Sequence, residues 1–474
     1  MSVANWDVWK GETGAGNKRM AHSSPYPFTG YFAKGGNPAM LVVISDLHFT
    51  DGTTSNYLES EKPPKDLFNV SPKAFQIFLM RIADIIKRRP TVINKVCFVY
   101  NGDIFDLLRT NYWFGAPVSE HPWDTSGSNK GALLGHAQKI LTAICERNRD
   151  ALRWLSGTHD DFPGIWPFEV KVERIYIPGN HDRIINLYPE LRKTVCASLL
   201  GQHEPERDCF DPVHMDADHK TVVMHGHEAD VYNCEYDGRD NPVYQAVPIG
   251  DPMTTMLFTR LGQSVLTPGI SAKAKSQLRE IDNVRPTLSV VRYVQNIISG
   301  DPGVEHEVSG AVKAIVENFQ SLPFYQEWEK KHDRWSIGWD EADKLQDVLR
   351  AVKLLGTNVP AGLLEKLAGF LRDDDPQQWA DSLLRTKKHN DMLYCVMGHT
   401  HEPDHVPLFV GKDGRERHYL NCGTFRTTLS PTLHAEAFVR YQRLSYVIIF
   451  GPGEYEKGID YPVYEMWSGI RMRD

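Results

Sequence analysis

The stretch Met40-Leu41-Val42-Val43-Ile44-Ser45-Asp46-Leu47-His48 decides the fold. Five consecutive apolar residues, three of them β-branched, read as a strand over Met40–Ser45 that is buried on both faces. The run then stops at two polar side chains, Asp46 and His48, with one residue between them. Strands buried on both faces belong to α/β cores. In such cores, polar residues just past a strand C-terminus face the crevice where ligands bind.

The same arrangement recurs along the chain. Strands are expected at Val96–Tyr100, Arg174–Ile177, Thr221–Met224 and Leu393–Met397. They lead into Gly102-Asp103-Ile104-Phe105-Asp106, Gly179-Asn180-His181-Asp182, His225-Gly226-His227 and Gly398-His399-Thr400-His401. Two further strands are expected at His418–Leu420 and Tyr446–Phe450. Between the first two strands, Ser71-Pro72 reads as an N-cap followed by proline at the first helical position. The segment to Arg89 then puts Ala74, Phe75, Phe78, Ile82, Ile85 and Ile86 on one side. A second helix is expected over Gly131–Asn148.

The alternation stops near residue 250. Residues 251–390 read as helices, with Ser271–Glu280, Gly310–Phe319 and Ala342–Phe370 the better candidates. This stretch holds 18 basic and 19 acidic residues, and Trp328, Trp335, Trp339 and Trp379. The organisation expected is an arm over 1–38, an α/β core over 39–250 and 391–474, and a helical cap-like insertion over 251–390. The tryptophans read as core more readily than as a substrate platform.

Composition bounds the function. The chain has 474 residues, 41% hydrophobic and 24% charged, with a net charge of −8. That is globular composition and not that of a disordered or collagen-like chain. A mildly acidic chain is not built around a large basic field, so wrapping of nucleic acid is disfavoured. No apolar run is long enough for a membrane span, and the N-terminus has no apolar signal core. Seven cysteines without a Cys-x-x-Cys pair read as reduced thiols of a cytoplasmic protein.

The polar motifs suit metal binding. Residues flanking Leu47 and Thr400 can turn two side chains toward one centre. Asp103 offers two oxygens and can bridge two cations, and Asn180 adds a neutral oxygen. Imidazole and carboxylate ligands without thiolate suit Mn, Fe, Zn, Co or Ni. Two cations about 3.5–4 Å apart form a clamp for phosphoryl chemistry.

All five motifs, in this order and each after a strand, resemble the calcineurin-like metallophosphoesterase family. The resemblance covers the core and leaves out the arm and the insertion. It implies a four-layer α/β/β/α sandwich with two mixed sheets. It implies that Asp46, His48, Asp103 and His401 hold one metal, and Asp103, Asn180, His225 and His399 the other. His181 would contact the phosphoryl oxygens or protonate the leaving group, and Asp106 would fix its tautomer. Asn180 and Arg183 join His181 as expected substrate contacts. The family's nucleophile is a metal-bridging hydroxide. Two divalent ions are the expected cofactors, Mn first, with Fe, Zn, Ni, Co or Mg as the others. Leu420-Asn421-Cys422-Gly423-Thr424-Phe425 is similar to a strand-end turn of the branch that includes UDP-2,3-diacylglucosamine diphosphatases.

The activity expected is dimetal-dependent hydrolysis of phosphoester or pyrophosphate bonds, by a phosphodiesterase or a nucleotide-type pyrophosphatase. The partner would be a phosphorylated small molecule or nucleotide. The alternatives are a DNA or RNA nuclease of the same family and a non-catalytic binding module that keeps the fold. Other residues have plainer readings. His227 reads as structural support, Cys422 as a packing residue, and His214, Asp216, Asp218 and His219 as a solvated loop. Arg426, like Arg183, reads equally as a phosphate contact or a salt bridge.

Overall fold

The computed structural model describes residues 40–55, 69–89, 93–124, 130–202, 208–237, 241–263, 269–285, 289–333, 341–353, 376–434 and 436–472. The expected arm, Trp335, Trp339 and residues 354–375 lie outside them. The architecture is mixed α/β with two sheets.

The first sheet contains β1 (Met40–Ile44), β2 (Lys95–Asn101), β3 (Lys171–Ile177), β9 (Phe425–Pro431), β10 (Phe438–Phe450) and β11 (Val463–Met472). Its order is β11-β10-β1-β2-β3, and β9 also pairs with β10. Strands β1, β2 and β3 are parallel, and β10 runs antiparallel to β1. The second sheet has the order β4-β5-β6-β8-β7. These strands are β4 (Val213–Asp216), β5 (Thr221–Met224), β6 (Tyr394–Met397), β7 (Pro403–Val410) and β8 (Glu416–Cys422). There β5, β6 and β8 are parallel. Parallel pairing sends the C-terminal ends of each sheet's central strands to one edge, where all five polar motifs sit.

The period of two in β1 sorts its side chains. Leu41 and Val43 join Val99, Val223, Val396 and Leu420 in one apolar cluster, so facing sides of the two sheets pack together. Met40, Val42 and Ile44 join Phe75, Phe78 and Ile82 of the helix Pro72–Arg88. On the second sheet, Val222, Met224 and Cys395 pack under Ala380 and Leu384 of the helix Pro376–Leu384. Burial on both faces explains why β1, β2, β5 and β6 are unbroken apolar runs.

The insertion has apolar clusters of its own. Leu278, Val294, Ile297 and Val308 pack together with Leu429 of β9. Val316, Phe319, Tyr325, Trp328 and Leu345 pack with Tyr232 and Ile249. Trp328 is thus a core residue, as expected, and Trp379 is partly buried against the second sheet's cluster. No helix of the described residues is long and apolar enough to cross a membrane.

Several elements differ from the sequence reading. The expected helix over Gly131–Asn148 spans Lys130–Arg147, and that over Gly310–Phe319 spans Glu305–Gln320. The one expected over Ala342–Phe370 is seen as Glu341–Lys353. Ser289–Gly300 is a helix that the sequence reading did not single out. Strands β7 and β11 went unread because they mix polar and apolar residues at half-covered positions, and β9 because its buried residues include Arg426, Thr427 and Thr428. The supposed loop at His214 and Asp216 is strand β4, antiparallel to β5. His219 is buried there against Asp216 at 2.9 Å.

Phe78 anchors the helix Pro72–Arg88 to the first sheet. Its ring meets Tyr446 at 5.0 Å, Phe425 at 5.4 Å and Phe98 at 6.1 Å between centroids. Phe78→Ala should lower unfolding free energy by about 3–5 kcal/mol, read by urea denaturation, because the sheet cannot close over the void. A change under about 1 kcal/mol would show that the helix is not packed this way.

Candidate metal centre

The strand ends are bent sharply at the site. Among the described residues, six non-glycine residues have positive φ, and five are expected ligands: Asp46, His48, Asp103, His399 and His401. Such conformations cost about 1–3 kcal/mol each and persist only where the surroundings impose them. Here the backbone does so. The N–H groups of Asp46 and His48 donate to the carbonyls of Gly102 and Asp103 at 3.1 and 2.8 Å. Thr424 Oγ1 donates to the Asp46 carbonyl at 2.6 Å, and Asn421 Nδ2 to the Gly398 carbonyl at 2.7 Å. The Asn-Cys-Gly-Thr turn therefore holds the first and last motifs. Gly102 and Gly398 are required by close approach. A Cβ on Gly102, at φ +77°, would strike the His225 ring, and one on Gly398 would strike Ser45 and Asp46.

The side chains converge as two linked groups. His401 Nε2 lies 3.3 Å from Asp46 Oδ1 and 3.1 Å from His48 Nε2. Asp103 Oδ2 lies 3.5 Å from His48 Nε2 and 3.4 Å from His225 Nε2. Ligand-capable atoms lie within 4.8 Å of one another in the groups Asp46, His48, His401 and Asp103, His225, His399. His48, Asp103 and His181 form a third such group. Asp103 belongs to both of the last two.

Three expected ligand atoms are buried without a hydrogen-bond partner: Asp46 Oδ1, Asn180 Oδ1 and His225 Nε2. Unpaired polar atoms this deep are costly unless something else satisfies them. Their partners are fixed so that these atoms stay open. His225 Nδ1 donates to the Asn101 carbonyl at 2.9 Å. Asn180 Nδ2 donates to Asn233 Oδ1 at 3.1 Å. His48 Nδ1 donates to Asp106 Oδ2 at 2.8 Å, and His399 Nε2 to Asp230 Oδ2 at 3.0 Å. The donor set, five imidazole and carboxylate groups around a shared carboxylate with one amide oxygen, fits a pair of divalent cations.

Charge balance follows the same pairs. Burial would raise the Asp103 carboxyl, but the nearby His225 and His181 hold it below the usual range. Burial would lower His225, and Asp103 instead drives it up to about 10. His181 is raised as well, against burial, by Asp106 and Asp103. Its Nδ1 donates to Asp106 Oδ1 at 2.9 Å, which leaves Nε2 as the free end of the ring. Asp182 is pushed up to about 6 by burial and then by the Asp103 charge. It accepts from the backbone N–H of Gly179 at 2.5 Å and of Ile104 at 2.9 Å, tying the third motif to the second.

Other expectations resolve differently. Arg183 is buried and donates to Asp251 Oδ2 at 2.6 Å. It also lines a cleft of about 620 Å³ with Tyr188, Glu235, Gln245, Trp328 and Lys331. Cys422 donates its thiol to the Met397 carbonyl at 3.1 Å, and burial raises its pKa, as befits packing. His227 lies beside His225 and His399, with ring centroids at 5.4 and 6.4 Å, and burial lowers it to about 4.

Some residues went unread. Asp230 closes His-Gly-His-Glu-Ala-Asp, and its place five residues after His225 was the only signal for it. Arg285 lies in the insertion with no motif around it. Its Nε donates to His401 Nδ1 at 3.1 Å. Arg109 lies 3.6 Å from Asp106 Oδ2. Arg285 is held well below its ordinary pKa by burial and then by the positive charges of Arg426 and Arg109.

No family model matches the chain, and no curated protein matches it.

Asp230 orients His399, so Asp230→Asn should weaken one of two bound cations by roughly 10–100-fold and spare the other. Competition with a metal-sensing dye would show this as a split of two affinities. Two unchanged affinities would remove Asp230 from the centre.

Proposed function

We propose that this chain is a dimetal phosphoesterase of the calcineurin-like family, hydrolysing phosphoester or pyrophosphate bonds. The observation that carries the reading is Asp103 Oδ2, set between His48 Nε2 at 3.5 Å and His225 Nε2 at 3.4 Å. One carboxylate oxygen shared by two imidazole-rich groups is the arrangement a two-cation clamp needs. We read the two packed sheets and their covering helices as the α/β/β/α sandwich of that family. All seven cysteines are free, which supports a cytoplasmic protein.

Asp46, His48, Asp103 and His401 would hold one cation, and Asp103, Asn180, His225 and His399 the other, with Mn the first choice. Two such cations would offset charge on the phosphoryl oxygens and acidify an attacking water. The chain's own residues supply the rest. Asp106 accepts from both His48 and His181, so one carboxylate sets the ring of a ligand and of the acid together. With Nδ1 held by Asp106, the His181 proton available for transfer sits at Nε2. Against burial, Asp106 and Asp103 raise its pKa above the ordinary value, which favours the protonated ring. The departing oxygen receives it as the bond to phosphorus breaks.

The sign of the pH dependence follows. His181 acts in its protonated form, and its raised pKa extends that form upward. The rate should therefore fall as pH rises through the His181 pKa. With Mn²⁺ and a chromogenic phosphodiester, His181→Ala should lower kcat by about 10²–10⁴-fold and abolish that alkaline limb. Elemental analysis should still find two cations. Wild-type hydrolysis that is indifferent to added cations, or a variant of full activity, would contradict the reading.

A further inference from the structure

Three arginines gather beside the candidate centre, each more than nine-tenths buried: Arg109, Arg285 and Arg426. They come from distant parts of the chain. Arg109 follows the second motif, Arg426 is the second residue of β9, and Arg285 belongs to the insertion. The insertion is fixed there by its backbone, since Arg285 N–H donates to the Leu429 carbonyl at 2.9 Å. Arg285 Nη1 and Arg426 Nη2 both donate to the Asp282 carbonyl, at 3.0 and 3.3 Å, which makes the two guanidinium groups neighbours.

These contacts use only part of the donors. Arg109 Nε and Nη1 and Arg426 Nε and Nη1 are buried with no hydrogen-bond partner. Arg109 has an ion pair with Asp106 at 3.6 Å, but three buried cations whose N–H groups lack hydrogen bonds remain costly. A purely structural clasp would need one arginine on the Asp282 carbonyl. It would not need a second and third cation beside it. Arg285 Nε is held by His401 Nδ1 only while that nitrogen is an acceptor. A ring that gives its Nε2 lone pair to a cation carries its proton on Nδ1, and Arg285 Nε is then released.

We propose that Arg109, Arg285 and Arg426 form an oxyanion subsite that takes a second phosphoryl group of the substrate, next to the one attacked. Guanidinium forks match phosphoryl oxygens, and the unpaired donors are the ones such a group would satisfy. Arg109 lies beside Asp106 and Arg285 beside His401, so the cluster adjoins the ligand set. The assignment rests on the two-cation reading for the group that is attacked. It gives the insertion a direct part in substrate choice, favouring a pyrophosphate-type substrate over a singly charged diester.

The test is calorimetric titration of pyrophosphate, and separately of inorganic phosphate, into the full chain with and without Mn²⁺. Arg109→Gln is the main variant, because its side chain is held only by the 3.6 Å ion pair with Asp106 and glutamine keeps a polar group there; thermal unfolding checks that the variant is folded. Arg426→Gln is the second. Both should weaken pyrophosphate by about tenfold or more, with or without Mn²⁺. Inorganic phosphate in the Mn²⁺-loaded protein should be weakened much less. Unchanged pyrophosphate affinity in Arg109→Gln would overturn the subsite. Equal loss for phosphate and pyrophosphate in the loaded protein would also overturn it, by showing that arginines and cations hold the same group. A wild type that hydrolyses nothing with any cation would sink the phosphoesterase reading alone, since arginine-dependent pyrophosphate binding does not require turnover.

Discussion

Asp103 is a carboxylate almost wholly out of water, and a negative charge in that position has to be answered from every side. Its Oδ1 accepts the backbone N–H of His181 at 2.9 Å. Its Oδ2 stands between the rings of His48 and His225. Those three partners arrive on three different strand ends, from both sheets. The charge of one residue therefore depends on the relative placement of the sheets. That placement is fixed by the apolar seam of Leu41, Val43, Val99, Val223, Val396 and Leu420.

The surrounding backbone bears the conformational cost. Five ligand positions adopt positive φ without being glycine. Asp46 and His48 are braced by the backbone of Gly102 and Asp103, and other bonds cross between the sheets. His399 N–H donates to Asp46 Oδ2 at 2.9 Å, and Asn101 Nδ2 donates to the Met224 carbonyl at 2.9 Å. Strain stored in this way keeps side chains aimed before any ligand arrives, as preorganised sites require. The same logic extends outward. Asp106 and Asp230 hold rings by the nitrogen turned away from the centre, and the Asn421–Thr424 turn holds the loops that carry those rings.

Much of this was legible in the sequence, for a physical reason. A strand covered on both faces must be an unbroken apolar run, and the polar residue that follows it is conspicuous. Asp46, Asp103, His225 and His399 stand out on that ground, as do the strands before them. The pairing of His181 with Asp106 was also readable, through the family resemblance. The rest depended on tertiary context. Strands β7 and β11 are half covered, so their polar residues hide the period, and β9 buries polar residues among its apolar ones. Asp230 and Arg285 act through a partner far away in sequence, and no local pattern marks them. Arg183 shows the converse. Its place beside the third motif suggested a phosphate contact or an exposed salt bridge, and it forms a buried pair with Asp251.

The account depends most on two cations sharing Asp103. A crystal of Mn²⁺-loaded protein, with diffraction recorded on both sides of the manganese absorption edge, tests this directly. Two anomalous peaks roughly 3.5–4 Å apart are predicted. One should lie beside Asp46, His48 and His401, the other beside Asn180, His225 and His399, with Asp103 touching both. A single peak, or two peaks of which one is held by His181 instead of His225, would contradict the account.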